Sequence, residues 1–478
     1  MQKIDLVVSG PHFYTMAGPG VGYQPDRAMA VDRGRILAIG SQAEILASYQ
    51  AERHLDATDQ AVLPGFIDAH MHTAEAILRG LAQDTSHWMM YGLGPFAEVL
   101  ESSQGQAARE VGTQLAFIEA IRTGTTTFGD FGNGMDSVCR WVEKVGVRAC
   151  ITVTIREAVR RIYQPGELYE FDADMGRRSL TENLEVMEKW QGGAGGRIRV
   201  LFGPQGADFV SREMLLEVRR LALEHQTKIH MHTQQGDRET AQIMKRYGQR
   251  PIVWLDDLGY LDSNLLAVHL TDANEEEAAL VAQRGASMVL CSGSIGIIDG
   301  IVPPAHAFQK AGGKVALGSD QAPGNNCHNI INEMKLTALF NKIRYTDPEV
   351  MPAWKVLRMA TIEGAEALGL GQEIGSLEEG KRADFILLDL NKPSMTPLYS
   401  EPMRNIVPNL VYSARGDEVT TVVVDGRVVY EHGKIQTVNE SEILATAQGL
   451  AQGIGVAASK RFWEIDGSNA HFMREGKL

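Results

Sequence analysis

The stretch "HMHTQQGDRE" at 230–239 places His230 and His232 at i and i+2, on one face of a strand. His70 and His72 repeat that spacing in "FIDAHMH" at 66–72. His269 in "LLAVHL" (265–270) and Asp320 in "KVALGSD" (314–320) also lie at the ends of apolar, β-branched runs. Imidazole and carboxylate are the groups that Zn²⁺ or Fe²⁺ accepts, and a coordination position left open holds a water. A divalent ion lowers the pKa of that water towards neutrality and so furnishes a hydroxide nucleophile. A lone histidine is more often a hydrogen-bonded core residue than a ligand. Four at strand ends with an aspartate, in a chain of 13 histidines, reverse that preference. His230 lies one pleat deeper than His232, where a core or supporting role is expected.

Residues so far apart in the chain need a fold to bring them together. Five more runs, "TTTFGDF" (125–131), "RACITVTI" (148–155), "IRVLFGP" (198–204), "KIHMHT" (228–233) and "SMVLCS" (287–292), complete a set of eight strand candidates. Helix-period stretches separate most of them, as in "AAREVGTQLAFIEAIRTG", with Val111, Leu115, Ile118 and Ile121 on one face and Gly124 as C-cap. Eight strand–helix units predict an α/β fold, a (β/α)₈ TIM barrel over 65–379, whose chemistry sits at the C-terminal strand ends. The flanks read differently. Residues 1–64 and 380–436 alternate in the manner of short strands with Gly and Asp turns, and together predict one small β-sandwich domain. Residues 437–478 read as a helical extension.

Composition narrows the function classes. Hydrophobic residues at 44% and charged residues at 22% are ordinary for a globular enzyme. A net charge of −14 argues against nucleic acid or an anionic membrane as partner. No apolar run is long enough to span a bilayer, and "MQKIDLVVSG" lacks the pattern of a signal peptide. Four cysteines without CxxC spacing fit a reducing cytoplasm.

"LPGFIDAHMH", "LRGLAQDTSHWM", a histidine on each of the fifth and sixth strands, and "LGSDQAPGNN" together resemble the amidohydrolase superfamily. The likeness is to its branch of cytosine and guanine deaminases, nucleoside deaminases and triazine hydrolases. "MATIEGAEALGLGQEIGSLEEGKRADFILLDL" resembles the same branch, so the likeness spans nearly the whole chain. It implies His70, His72, His232 and Asp320 as metal ligands, and His269 as the residue that hydrogen-bonds the attacking water or the substrate. Asp320 would also take the water's proton and pass it to the leaving group. No lysine stands near "LFGPQG", which favours one divalent ion per chain, Zn²⁺ before Fe²⁺. The branch also implies a homo-oligomer, most simply a dimer.

Three departures from that pattern bear on the substrate. Gln235 stands three residues after His232, where most of these deaminases carry a glutamate that protonates a ring nitrogen. Glutamine donates hydrogen bonds but releases no proton. Asp237, Glu239 and His87 are the other groups that could supply one. Gln205 replaces a histidine that faces substrate in many relatives, and "CSGSIG" replaces Pro-x-Ser-Asn, leaving Ser292 and Ser294 as polar contacts. His87 and His328 lie near the rim in sequence and join the substrate-contact candidates. The expected activity is therefore a metal-dependent hydrolysis at an sp² carbon of a small nitrogen heterocycle. It would release ammonia or an amine, or another leaving group such as sulfide or chloride. Ring opening of a cyclic amide (an imidazolone or hydantoin) is the alternative hydrolysis, and a non-catalytic metal-bound relative the alternative of another class.

Overall fold

Strand β6 (Phe66–Met71) begins a parallel series of eight that continues through β7 (Thr125–Gly132), β8 (Arg148–Ile155), β9 (Ile198–Pro204) and β10 (Ile229–Thr233) to β11 (Leu265–His269), β12 (Ser287–Leu290) and β13 (Val315–Leu317). The structure, a computed structural model, describes residues 1–478 apart from Ser86, Ser103, Gln104, Ile162 and Pro165. Strand alternation sorts the side chains. Ala149, Ile151, Val153 and Ile155 of β8 join the large core beneath the surrounding helices, while Cys150 joins Ile67, Leu201, Leu266 and Val289 inside the barrel. Ala365 and Ala367 of the helix Ile362–Ala367 belong to that inner cluster as well. The ring closes between β6 and the end of β13, where Asp320 N–H donates to the His70 carbonyl at 2.9 Å and His72 N–H to the Asp320 carbonyl at 3.1 Å.

The flanking strands are β1 (Gln2–Tyr14), β2 (Tyr23–Asp32), β3 (Arg35–Ser41), β4 (Tyr49–Asp56) and β5 (Gln60–Pro64), with β14 (Phe385–Asp389), β15 (Val419–Val424), β16 (Arg427–Glu431) and β17 (Lys434–Ile435) from the far end of the chain. They form one sheet in the order β17-β16-β15-β14-β5-β1-β2-β3, with β4 on β1. The antiparallel β5–β14 pair, with Leu63 opposite Ile386 and Val62 opposite Leu387, stitches the two flanks together. Leu6, Val8, Phe13 and Val31 face Leu377, Phe385, Leu387 and Val423 in the core of this small sandwich. The helix Glu440–Ile465 packs Ile454 and Ala458 on Phe96, Leu100 and Ala108. Among the described residues, no helix is long and apolar enough to cross a membrane.

One buried ion pair ties the foot of the barrel to the small domain. Arg148, 1% exposed, donates from Nε to Asp384 Oδ2 at 2.8 Å and from Nη2 to Oδ1 at 3.2 Å. Asp384 also accepts the Asp425 N–H at 2.7 Å, so the arrangement satisfies both carboxylate oxygens. Removing one partner strands the other charge in the interior. Arg148→Ala is expected to lower unfolding free energy by about 3–5 kcal/mol, measured by urea denaturation at pH 7. A loss below about 1 kcal/mol, the range of an exposed pair, would show the pair to be dispensable.

Candidate metal centre

Three local departures from regular strand geometry aim the side chains. In β6 the pairing register with β7 shifts between Asp68 and Met71. This bulge re-aims the strand's last residues, and both His70 and His72 reach the barrel mouth. On β11, Leu266 and Val268 point inwards, so strict alternation would send His269 outwards. Instead His269 takes φ 78° and Leu270 φ 54°, and the His269 ring comes within 5.6 Å of His70 and 5.5 Å of His232, centroid to centroid. Asp320 likewise adopts φ 60°. Left-handed backbone at non-glycine residues is uncommon, and here it falls on two of the five residues of the cluster.

The hydrogen bonds of the histidines fix their tautomers. His72 Nδ1 lies 2.7 Å from the Phe131 carbonyl, and His232 Nδ1 lies 2.7 Å from the Gln205 carbonyl. A carbonyl only accepts, so each Nδ1 carries the proton and each Nε2 presents a bare lone pair. Those two Nε2 atoms face each other at 3.3 Å. Two lone pairs so placed repel, unless a cation lies between them. Two imidazole nitrogens on one tetrahedral zinc stand about 3.3–3.4 Å apart, given a Zn–N bond near 2.05 Å. Asp320 Oδ1 lies 3.5 Å from His70 Nε2 and 3.4 Å from His72 Nε2. His70 Nε2 and both His269 nitrogens are buried without a hydrogen-bond partner, as atoms meant for an ion or a substrate would be. His70, His232 and His269 form one set able to hold a metal ion, and His70, His72 and Asp320 another.

Burial keeps His70, His230, His232 and His269 neutral. It holds His70 and His232 well below the ordinary histidine range, with neighbouring imidazoles adding to the effect. Burial also lowers His269 to about 4 and His230 to about 3. Unprotonated imidazole is the form that binds metal. His230 supports the cluster from behind: its Nε2 meets His70 Nδ1 at 2.8 Å and its Nδ1 meets Thr152 Oγ1 at 3.0 Å. Pairing of a ligand's second ring nitrogen in this way sets its orientation.

The other residues singled out from sequence go to different places. Ser294 donates from Oγ to Asp320 Oδ2 at 2.5 Å. Gln205 offers its carbonyl to His232, while its side-chain Oε1 accepts from Arg156 at 2.9 Å. Gln235 is half-buried, and its N–H donates to Glu239 Oε2 at 2.9 Å. Burial, with Asp208 next in effect, pushes the Glu239 carboxyl up to about 8. Asp237 and His87 are exposed, the latter with its ring edge-on to Tyr91 at 5.5 Å. Ser292 turns its hydroxyl to Thr337 at 2.7 Å. His328 is fully buried with Nδ1 on Ser319 Oγ at 2.8 Å. Sequence reading missed Phe131, whose ring lies 4.8 Å from that of His232 and 5.6 Å from that of His72. It also missed Glu75, a half-buried carboxyl that stands after His72 at the spacing Gln235 has after His232. That repeated spacing was the available signal.

A model of the amidohydrolase family matches residues 61–429, which takes in every barrel strand and the centre itself. The chain belongs to the amidohydrolase family. It is 32% identical, over 94% of its length and 98% of the relative's, to a 5-methylthioadenosine/S-adenosylhomocysteine deaminase of Pelotomaculum thermopropionicum. A 5'-deoxyadenosine deaminase of Methanosarcina mazei is 29% identical over 94% of this chain and 98% of its own. Among solved structures, an adenosine deaminase of Xanthomonas campestris with bound zinc superposes with a TM-score of 0.87 at 28% identity, covering 95% of this chain and 99% of that one. This amidohydrolase is a metal-dependent hydrolase of the aminohydrolase type, and its strand-end cluster fits a divalent ion.

If the facing nitrogens hold the ion, His72→Ala and His232→Ala should each lose metal. A fall of about 10- to 100-fold or more in zinc affinity is expected for removal of a ligand, since even supporting partners are worth that much. Elemental analysis of the purified variants reads it directly. Full metal content in both variants would place the ion elsewhere.

Proposed function

We propose that this amidohydrolase releases ammonia from an amino-substituted nitrogen heterocycle, with purine nucleosides of the kind its relatives are named for as the first class to test. One zinc ion per chain would be held by His70, His72, His232 and Asp320. The observation that carries this reading is the pair of unprotonated Nε2 atoms of His72 and His232, 3.3 Å apart and fixed from behind by two main-chain carbonyls. A bound divalent ion supplies Lewis acidity, lowering the pKa of a water and stabilising charge that develops on the attacked carbon's substituents. Asp320 accepts the proton of the attacking water and delivers it to the departing nitrogen. His269, neutral and with both ring nitrogens unpaired, orients that water or hydrogen-bonds the developing oxyanion. The four cysteines carry no disulfide, which supports a cytoplasmic setting, and a two-fold dimer is the assembly we expect.

Gln235 shapes the choice of substrate. An amide at this position holds a ring nitrogen by a hydrogen bond without protonating it. For a purine, the ring-nitrogen proton would then come from another group, Asp237, Glu239 or His87, whereas rings already electron-poor enough to be attacked need none. The same feature favours good leaving groups, so chloride- and methylthio-substituted rings belong in the test. Turnover of adenosine, 5'-deoxyadenosine, 5-methylthioadenosine, aminopyrimidines and substituted triazines should be followed by ammonia, sulfide, chloride and ring-opened acid together. Ammonia as the principal product supports the reading. Chloride, sulfide or a ring-opened acid as the principal product replaces it. Where the best substrate needs no ring protonation, Gln235→Glu should lower its turnover and add a new limb to the pH–rate profile, because a carboxylate there is repelled by Asp320 or takes up a proton; on aminopurines and aminopyrimidines the same change should raise turnover or leave it unharmed. An increase in turnover with no new limb would mean that the glutamine is not an adaptation to the substrate.

A further inference from the structure

The two oxygens of Asp320 have different neighbours. Oδ1 faces the Nε2 atoms of His70 and His72 at 3.5 and 3.4 Å, while Oδ2 accepts the Ser294 hydroxyl at 2.5 Å and lies 4.0 Å from His269 Nε2; the Gln321 side-chain amide, turned to donate, reaches both oxygens and so does not distinguish them. Ser294 is 1% exposed, so its hydroxyl is spent on the carboxylate and closed to a ligand. It sits in the first turn of the helix Ser292–Ile298, directly after Gly293, whose N–H donates to Glu333 Oε2 at 3.0 Å. Glu333 is fully buried. Its Oε1 accepts the Asn325 side-chain N–H at 2.9 Å, and the same amide donates to the Ser319 carbonyl at 2.8 Å, one residue before Asp320. One carboxyl group thus braces the segments that follow β12 and β13. The packing leaves no slack: a Cβ at position 293 would stand 2.0 Å from Asn325 Oδ1, so only glycine allows this approach.

A carboxylate beside a divalent ion binds through one oxygen or through both, and hydrogen-bonding partners decide which. We propose that Ser294 is a positioning residue that engages Asp320 Oδ2 so that Oδ1 alone faces the metal-binding nitrogens, and that Glu333 holds Ser294 in that place. This rests on the reading of Asp320 as a metal ligand, and it departs from the expectation that Ser294 touches substrate. The brace joins two segments that each follow a different strand. The division of labour within one carboxylate is therefore set by a residue on the helix Ile330–Tyr345, outside the cluster itself.

The test compares wild type, Ser294→Ala, Glu333→Gln and the double variant, with thermal melts to confirm folding and Glu333→Asp in reserve. Three readouts are used: the visible spectrum of the Co²⁺-loaded chain, the rate of zinc loss to dipicolinate, and kcat and KM with 5-methylthioadenosine as probe. Ser294→Ala is expected to keep its metal but to weaken and shift the cobalt bands, because a carboxylate free to bind through both oxygens raises the coordination number. Its rate of zinc loss should change several-fold and its kcat fall about 10- to 100-fold with KM nearly unchanged. Glu333→Gln should move all three the same way, and the double variant should be no worse than Ser294→Ala, since Glu333 acts through Ser294. Unchanged cobalt spectrum and zinc loss in Ser294→Ala overturn the inference, as does a raised KM with kcat preserved, which is the mark of a substrate contact. Additive effects in the double variant remove Glu333 from it. A wild-type chain that takes up neither ion overturns the metal-centre reading itself, an outcome distinct from all of these.

Discussion

Two main-chain hydrogen bonds, from Asp320 N–H to the His70 carbonyl and from His72 N–H to the Asp320 carbonyl, close the barrel between its first and last strands. The residues that close it belong to the histidine–aspartate cluster able to hold a metal ion. A parallel barrel has no edge only when this last seam forms; the regular pairing of β13 is with β12, so the seam to β6 rests on the bridge between Met71 and Asp320. Closure and site assembly are thus one event. The left-handed backbone of Asp320 belongs to this joint: it lets the main chain pair with β6 while the carboxylate turns into the mouth. His269 meets the same demand on β11, where the pleat is broken to bring an outward position inwards.

Fixed tautomers follow from the frame in the same way. The carbonyls that hold His72 and His232 belong to Phe131 at the end of β7 and to Gln205 just past β9, so the neighbouring strands set which nitrogen is bare. His70 is set from behind by His230, another residue of the ring wall. None of these partners has to reach the substrate, which leaves the upper loops free to define what enters. Burial then keeps His70, His232 and His269 unprotonated, the form in which imidazole binds a cation.

Much of this was legible in the sequence, for physical reasons. The eight strands announce themselves because each is a short apolar run bounded by turn residues. The bounds hold to within one residue for the first six; β12 and β13 stop short of expectation. There "CSGSIG" starts a helix at Ser292 straight from the strand end, and the chain after Leu317 turns to close the ring. The four histidines and Asp320 stood out because their types sat at strand ends, and His230 because it shared a face with His232; the fold brings them together. What stayed hidden was the direction of polar side chains past the strand ends. Ser292 and Ser294 are two residues apart and chemically alike, yet one meets Thr337 and the other Asp320. His328 reads like a rim residue until its packing on Ser319 is seen. Spacing encodes which face a residue takes on a regular element. It does not encode where a loop side chain finds its partner.

The pairing of β5 with β14 has a further bearing, on how such a chain is made. β5 leaves the ribosome early, with β1 beside it but its other edge open until Phe385–Asp389 emerges. At ordinary rates of synthesis, that edge waits on the order of half a minute while the entire barrel is translated. An uncovered strand is a template for the wrong partner. The barrel must therefore hold the two flanks within reach of each other by the time the second appears, and the Arg148–Asp384 pair lies at that junction. The small sandwich is a late product of a large insert. A nascent chain stalled before β14 would expose Ala61 to Pro64, most of them apolar, to whatever cellular machinery guards unfinished proteins.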